Sequence, residues 1–189
     1  MKVAVDIDGT ISQTFEKYGE LLREAGYDTS GIASKPTHWE TDFLYPKVPI
    51  DTVMQFYKDN WRGMRSSYDV YPGAPVVLHV LAYELVGVTN REVFEQGADG
   101  CSVTKQWLRE QAIPLQEVVH TSDKPATIAE DGFDVLIEDS VKNAVPVAEQ
   151  GTPVLLFDQP YNRHLSHKNV IRFSHWAEVP LLLKRLDSR

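Results

Sequence analysis

Short apolar runs alternate with longer amphipathic stretches along the chain. Five of the runs are only a few residues long and rich in Val, Ile or Leu, which is typical of strands covered on both faces of a parallel sheet. Helical stretches between them fit crossover connections, so the pattern predicts an α/β fold with helices flanking a parallel sheet. The predicted strands are Lys2 to Ile7, Leu85 to Thr89, Val118 to Thr121, Val135 to Ile137 and Val154 to Phe157.

Helices are predicted between and after these strands. One spans Val103 to Gln111 and another spans Val141 to Gln150, which is followed by Gly151, a residue that commonly ends helices. Pro146 lies inside the second helix and predicts a kink or a late start there. The tail from Ser174 to Arg189 is predicted to form a last helix.

The segment from Asp8 to Thr89 is far longer than a single crossover requires. It holds two helix candidates, near Thr14 to Ala25 and near Asp51 to Trp61, together with many aromatic residues and prolines. We therefore expect residues 1–16 and 72–189 to form the core domain. Residues 17–71 are expected to form a small helical cap inserted after the first strand.

Composition narrows the class of protein. Hydrophobic residues make up 42% of the 189 residues and charged residues 24%, which is ordinary for a soluble globular protein. The net charge of -8 disfavours a long nucleic acid as partner. Cys101 is the single cysteine, so a reduced, cytoplasmic setting is expected. No apolar run is long enough to cross a membrane.

Candidate chemistry begins where the first strand ends. Asp6 and Asp8 are followed by Gly9 and Thr10 at the carboxyl end of that strand. Ligands of open α/β sheets bind beyond the carboxyl ends of the strands, and glycine allows a sharp turn and a close approach of the backbone to a ligand. Two spaced carboxylates followed by Gly-Thr are therefore more specific than an ordinary Asp-Gly turn.

Four motifs in order resemble those of the haloacid dehalogenase (HAD) superfamily. The match covers about residues 1 to 160, with each motif at the end of a predicted strand. The resemblance implies a HAD-type Rossmann-like sheet and a phosphatase, because superfamily ATPases carry Thr where this chain has Asp8. The motifs are Asp6 to Thr10, Val86 to Arg91, Lys124, and Ile137 to Ser140.

The resemblance also implies a mechanism. Asp6 is expected to attack phosphorus and form an aspartyl-phosphate, while Asp8 protonates the leaving group and later activates water. Mg²⁺ is the implied cofactor, bound by the Asp6 and Asp139 carboxylates and by the backbone carbonyl of Asp8. Glu138 is expected beside the metal site, although direct contact with the metal stays open.

Phosphate binding is assigned by the same resemblance. Thr89 and Asn90 are expected to hold the transferring oxygens, and Lys124 to supply a fixed positive charge. Lys105 is an alternative for the lysine. Lys124 is favoured because it follows a strand and precedes Pro125, a good first helical residue.

Within the superfamily, the chain is most similar to the 5′(3′)-deoxyribonucleotidase group and its bacterial and phage relatives. The features that carry this similarity are the short core, the early cap, Thr121 to Lys124, the late acidic pair and Pro160-Tyr161-Asn162. Asn90 and Glu138 depart from that group, which often has Ser and Asp there.

The group similarity implies a small phosphorylated substrate, a nucleoside monophosphate, held against aromatic residues of the cap. Phe15, Trp39 and Trp61 are the candidate rings, although large rings more often build a cap's own core. A phosphatase for a sugar phosphate is the main alternative. A catalytically idle binding module is a further one, and the oligomeric state is open.

Overall fold

The computed structural model describes residues 1–37, 40–91 and 98–188. Within them, six parallel strands form one sheet in the order β3-β2-β1-β4-β5-β6. The five predicted strands are all present: the strand from Val154 to Phe157 has the predicted ends, and the ends of the other four differ by one or two residues. The strands are β1 Lys2–Val5, β2 Glu84–Thr89, β3 Glu117–His120, β4 Val135–Glu138, β5 Val154–Phe157 and β6 Val170–Phe173.

Eight α-helices lie in the same described residues. They are α1 Thr14–Glu24, α2 Glu40–Leu44, α3 Ile50–Ser66, α4 Ala74–Val80, α5 Ala98–Glu110, α6 Lys124–Glu130, α7 Val141–Glu149 and α8 Val179–Asp187. None of the helices described is long and apolar enough to cross a membrane.

Strand β6 was not predicted from the sequence, and helix α7 does not have the late start predicted for it. Strand β6 has the pattern Val-Ile-Arg-Phe, and three of its four residues are only half-buried. It lies at the edge of the sheet beside β5, and an edge strand needs no continuous apolar run. The predicted late start of the helix at Pro146 is wrong, because α7 begins at Val141 and continues through that proline.

The tail also differs from the prediction of one helix from Ser174. A short 3₁₀ turn at Trp176–Glu178 precedes α8, which starts at Val179. Pro180 lies in the first turn of α8, where a missing N–H costs no intrahelical hydrogen bond.

Helices α1, α2 and α3 belong to the long segment inserted between β1 and β2. Its two ends run side by side: Gln13 N donates to Asp69 O at 2.8 Å, and Tyr71 N donates to Ile11 O at 2.8 Å. Buried residues of α1 and α3, such as Leu22 and Tyr57, belong to the same hydrophobic cluster as Val3 of β1. The inserted helices therefore pack continuously with the sheet domain.

The register of the strands places the first, second and fourth motifs at the same edge of the sheet. β1 lies between β2 and β4, with Val5 opposite Gly87 on one side and Ile137 on the other. The residues that follow Val5, Val88 and Ile137 consequently leave the sheet at the same edge. This register is what allows residues distant in sequence to share a site.

Trp107 of α5 offers a test of the packing between the sheet domain and the inserted segment. Its side chain is fully buried, and its Nε1 donates to Tyr68 O at 2.9 Å. We expect Trp107→Ala to lower the free energy of unfolding by about 3–5 kcal/mol, measured by urea denaturation. Trp61→Ala, at a half-buried position, is the matched control and should cost much less. Equal losses would contradict this description of the packing.

Candidate active site

Side chains from three neighbouring strand ends meet in a pocket of about 220 Å³. Asp6 follows β1, Thr89 ends β2, and Glu138 and Asp139 lie at the end of β4. Lys124 joins them from the first position of α6. All five side chains are buried, and all five line this one pocket. The structure therefore brings these predicted residues together.

Lys124 bridges two of the acidic side chains. Its Nζ forms an ion pair with Asp6 Oδ1 and donates to Glu138 Oε2 at 2.9 Å. Burial alone would lower the pKa of the lysine, but these two carboxylates raise it above its usual value. Lys124 is therefore a fixed cation at the sheet edge, whereas Lys105 is exposed on α5.

The start of α6 explains how Lys124 reaches this position. Asp123 caps the helix, since its carboxylate accepts from Ala126 N at 3.1 Å, and Pro125 occupies the first turn. The helix therefore begins directly after the loop that follows β3. That start directs the Lys124 side chain toward Asp6.

Asp139 is held by residues from two other loops. Thr10 Oγ1 donates to Asp139 Oδ1 at 2.7 Å, and the Tyr161 hydroxyl donates to Oδ2. Asn162 Nδ2 donates to the backbone oxygen of Asp139 at 2.8 Å. The Pro160-Tyr161-Asn162 segment after β5 thus orients this carboxylate, a function that its position in the sequence alone did not reveal.

A divalent cation fits this cluster. Carboxylate oxygens of Asp6, Glu138 and Asp139 lie within 4.8 Å of one another. Burial and the charge of Glu138 raise the pKa of Asp6 to about 7 and raise the pKa of Asp139 well above its usual value. A set of crowded, buried oxygen donors suits Mg²⁺, whose charge would relieve this repulsion.

Glu138 has contacts that differ from those of the two aspartates. Its Oε1 accepts the backbone N–H groups of Asp139 and Ser140, at 3.1 and 3.0 Å. Its Oε2 accepts from Lys124 and from Asn143. Both oxygens are already engaged by the protein, which favours a supporting role for Glu138 beside the metal site.

Asp8 has a partner that sequence reasoning missed. Arg91 forms a bidentate pair with the Asp8 carboxylate: Nη2 donates to Oδ1 at 2.7 Å and Nε donates to Oδ2 at 2.8 Å. Thr14 Oγ1 also donates to Oδ1, at 2.7 Å. Burial alone would raise the pKa of Asp8, but Arg91 lowers it well below its usual value. Asp8 is therefore ionised in this arrangement. The available signal was the position of Arg91 directly after Asn90.

Thr89 presents a hydroxyl without a partner. Its Oγ1 is buried and makes no hydrogen bond with any residue that the structure describes. A buried hydroxyl left unpaired is costly, which suggests that a bound group satisfies it. Thr89 lines the pocket beside Asp6, and Asn90 lines it as well from a more exposed position.

The predicted aromatic residues have different placements. Phe15 is half-buried on the pocket wall, with its ring 5.5 Å from that of Tyr161. Trp61 is not among the described residues that line the pocket; it packs against the hydrophobic core, with the Arg62 guanidinium 4.8 Å from its ring. Trp39 lies outside the described residues, so its expected role stays a prediction.

Other pocket residues escaped sequence reasoning. Tyr18 of α1, Tyr57 and Arg65 of α3, and Tyr68 after α3 all line the pocket and are buried. Tyr57 and Arg65 are eight residues apart, which places them on neighbouring parts of one helix face. Such spacing equally describes an ordinary core face, so the sequence held no signal specific to a site.

Gly9 leaves room for the cluster. Its φ of +80° suits glycine, and a Cβ at this position would lie 2.4 Å from Asp139 Oδ2 and 2.7 Å from Phe15 Cε2. A side chain at position 9 would therefore displace Asp139. The first motif consequently requires glycine for both conformation and space.

Comparison with known proteins identifies the family. Residues 1–187 match the model of the family described as 5′ nucleotidase, deoxy (pyrimidine), cytosolic type C protein. The chain belongs to this nucleotidase family. A protein named as a nucleotidase, from Clostridium acetobutylicum, is 28% identical over 190 residues, covering 98% of this chain and 95% of that protein. A relative from Halalkalibacterium halodurans is 31% identical over 188 residues, covering 94% and 90%.

Solved structures show the fold of this nucleotidase family member. A haloacid dehalogenase-like hydrolase from Streptococcus pneumoniae superposes with a TM-score of 0.64 at 12% identity, covering 96% of this chain and 97% of that one. A HAD-superfamily hydrolase from Geobacter sulfurreducens gives a TM-score of 0.60 at 16% identity, covering 97% and 96%. The predicted HAD-type fold is therefore confirmed. The match to the nucleotidase family establishes a phosphatase-class enzyme, against the alternative of an idle binding module.

Gly9 and Gly132 provide a matched pair of substitutions. Both have positive φ, but a Cβ at Gly132 would have no neighbour within 4 Å. We expect Gly9→Ala to lower kcat/KM for p-nitrophenyl phosphate by about 10²-fold, because a carboxylate misplaced by about 1 Å costs that much. Gly132→Ala shares the backbone strain and should retain activity. Gly9→Ala activity within threefold of the wild-type value would contradict the role given to Gly9.

Proposed function

We propose that this nucleotidase family member hydrolyses phosphomonoesters with Mg²⁺ through an aspartyl-phosphate on Asp6, and that its substrates are (deoxy)nucleoside monophosphates. The observation that carries the proposal is the surroundings of Asp6. Its carboxylate lies in the pocket against Lys124, with the unpartnered hydroxyl of Thr89 and the carboxylate of Asp8 lining the same space.

In the first half-reaction, an Asp6 oxygen forms a bond to phosphorus while the bond to the ester oxygen breaks. Negative charge on the transferring oxygens is met by Lys124 and by the hydroxyl of Thr89. Asn90, also on the pocket wall, is proposed to donate to the same oxygens. These are fixed donors in a buried setting, where electrostatic stabilisation is most effective.

Asp8 completes both half-reactions by moving a proton. It protonates the leaving alkoxide in the first, and in the second it accepts a proton from the water that attacks phosphorus and releases Asp6. The ionised form held by Arg91 suits the second task. For the first task Asp8 must carry a proton, which requires its contacts with Arg91 to lengthen when substrate is bound.

The residues that would hold Mg²⁺ are Asp6, Asp139 and the backbone carbonyl of Asp8. The metal would supply positive charge that allows an anionic nucleophile to approach an anionic phosphate. Within the protein, Thr10, Tyr161 and Asn162 keep Asp139 oriented for this role.

Nucleoside monophosphates are proposed as substrates because the family and the relative from Clostridium acetobutylicum carry the nucleotidase name. Residues 17–71 are proposed to act as the cap that recognises the leaving group, with Phe15 at its base. A cap of this kind excludes water during attack. The enzyme is proposed to act in the cytoplasm.

One observation favours a second candidate, a phosphatase for sugar phosphates. The cap side of the pocket carries tyrosine hydroxyls and the Arg65 guanidinium as well as ring faces. Such a lining suits a leaving group that carries hydroxyls, whether or not a nucleobase is attached to it. A phosphate-release screen over nucleotides and sugar phosphates separates the two candidates.

Asp6→Asn is expected to abolish turnover of p-nitrophenyl phosphate, because an amide cannot attack phosphorus. Circular dichroism should show an unchanged fold. Asp131→Asn is the matched control, since Asp131 is exposed in a turn outside the pocket and should leave activity at the wild-type level. Ordinary turnover by the Asp6 variant would exclude Asp6 as the nucleophile.

Metal removal tests the proposed cofactor. Activity should disappear in excess EDTA and return with Mg²⁺, and Ca²⁺ should inhibit. Calcium accepts more oxygen ligands in a looser shell, so a carboxylate bound to it in bidentate fashion is poorly placed for attack. Isothermal titration with Mg²⁺ should show binding that Asp139→Asn weakens. Full activity in excess chelator would refute the metal requirement.

A further inference from the structure

Two buried tyrosines on the cap side of the pocket have hydroxyl groups with no partner. Tyr18 of α1 is 8% exposed, and Tyr68, which follows α3, is 2% exposed. Both line the pocket, yet neither hydroxyl forms a hydrogen bond with any residue in the described part of the chain. Neither hydroxyl is among the buried, unpaired polar atoms of the described residues, so both remain accessible from the pocket and available to hydrogen-bond a ligand.

Neighbouring tyrosines do not share this property. The Tyr57 hydroxyl accepts from Arg65 Nε at 2.9 Å, and the Tyr71 hydroxyl donates to Glu16 Oε1 at 2.7 Å. The Tyr161 hydroxyl donates to Asp139. Buried tyrosine hydroxyls usually find such partners. Tyr18 and Tyr68 are therefore distinguished from these tyrosines by their unpaired hydroxyls.

Both tyrosines line the same pocket as Asp8, and the Tyr68 ring lies against the Arg91 guanidinium that pairs with Asp8. Burial raises the pKa of Tyr18 and of Tyr68, and in each case the negative charge of Asp8 contributes to the rise. Asp8 is the residue proposed to protonate the leaving oxygen. The part of the substrate next to that oxygen would therefore occupy the pocket that these two tyrosines line.

The tyrosines are also held rigidly. The rings of Tyr18 and Tyr57 stack, with centroids 5.6 Å apart and planes 18° apart. The Tyr68 ring lies 5.8 Å from the buried guanidinium of Arg91. Fixed side chains lose little rotamer freedom when a ligand binds, so their hydroxyls are preorganised donors and acceptors.

We propose that Tyr18 and Tyr68 form a subsite that hydrogen-bonds hydroxyl groups of the leaving group next to the scissile ester, which in a nucleotide are those of the sugar. This inference rests on the proposed function and adds to it the recognition of a hydroxylated leaving group. A site built to bond a hydroxyl rejects an analogue that lacks it, because its own polar groups are then left unpaired.

The experiment combines changes in the enzyme with changes in the substrate. Wild-type enzyme, Tyr18→Phe and Tyr68→Phe are assayed with Mg²⁺ on uridine 5′-monophosphate, its 2′-deoxy and 3′-deoxy forms, and p-nitrophenyl phosphate. At least one variant should lower kcat/KM by about three- to tenfold on the fully hydroxylated nucleotide, the loss expected for one hydrogen bond. The same variant should lose much less on the deoxy form that lacks the bonded hydroxyl, and on p-nitrophenyl phosphate.

Tyr83→Phe is the matched control, because the Tyr83 hydroxyl contacts Asp187, well away from the pocket. It should leave every substrate unaffected. Thermal unfolding adds an independent readout: since Tyr18 and Tyr68 lose no hydrogen bond on replacement by Phe, their variants should melt at or above the wild-type temperature. A clear fall in melting temperature for both would show that the hydroxyls serve the fold, and would overturn the inference.

Failure of the inference is distinguishable from failure of the proposed function. If wild-type enzyme hydrolyses the nucleotides but both variants lose equally on all substrates, or lose nothing, the subsite is refuted and the nucleotidase proposal stands. If wild-type enzyme rejects nucleotides, the nucleotidase proposal fails. Ribose 5-phosphate and 2-deoxyribose 5-phosphate then serve as the hydroxylated and deoxy pair. An equal effect of the variants on those two would refute the subsite.

Discussion

The structure depends on keeping four carboxylates close together at one buried edge of the sheet. Asp6, Glu138 and Asp139 are almost fully buried, and Asp8 lies beside them. Such charges are tolerated only when they are paired, and removing one partner of a buried pair typically costs about 3–5 kcal/mol. Lys124 is the partner of Asp6 and Glu138. In the proposed reaction, the same lysine would hold Asp6 as the nucleophile and supply positive charge for the phosphate.

Other side chains hold the two carboxylates that Lys124 does not contact, those of Asp8 and Asp139. Arg91 neutralises Asp8 from the side of β2, and the segment after β5 orients Asp139 through Tyr161 and Asn162. Asn162 is itself anchored, because Arg172 of β6 donates to its side chain at 2.5 Å and to its backbone oxygen at 3.0 Å. The edge strand thus contributes to the site through this chain of contacts.

Much of this arrangement could be predicted from the sequence, because parallel strands end at one edge and the motifs follow strands. Asp6, Thr89, Lys124 and Asp139 come together for that reason. Contacts between distant segments could not be predicted in this way. The bidentate contact between Arg91 and Asp8 depends on the directions in which the two side chains point, which the sequence does not specify. Strand β6 was missed because an edge strand tolerates a polar residue such as Arg172. The packing of Trp61 against the core could not be predicted either, since an aromatic residue in a helix fits a core as well as a pocket.

The stereochemistry at phosphorus distinguishes two successive displacements through Asp6 from a single attack by water. Each in-line displacement inverts the configuration, so two successive displacements, first by Asp6 and then by water, return the original configuration. Hydrolysis of a substrate made chiral at phosphorus with oxygen isotopes and sulfur, in isotopically labelled water, should therefore proceed with retention. Inversion would show a single attack by water on the substrate, and would contradict the role of Asp6 as nucleophile.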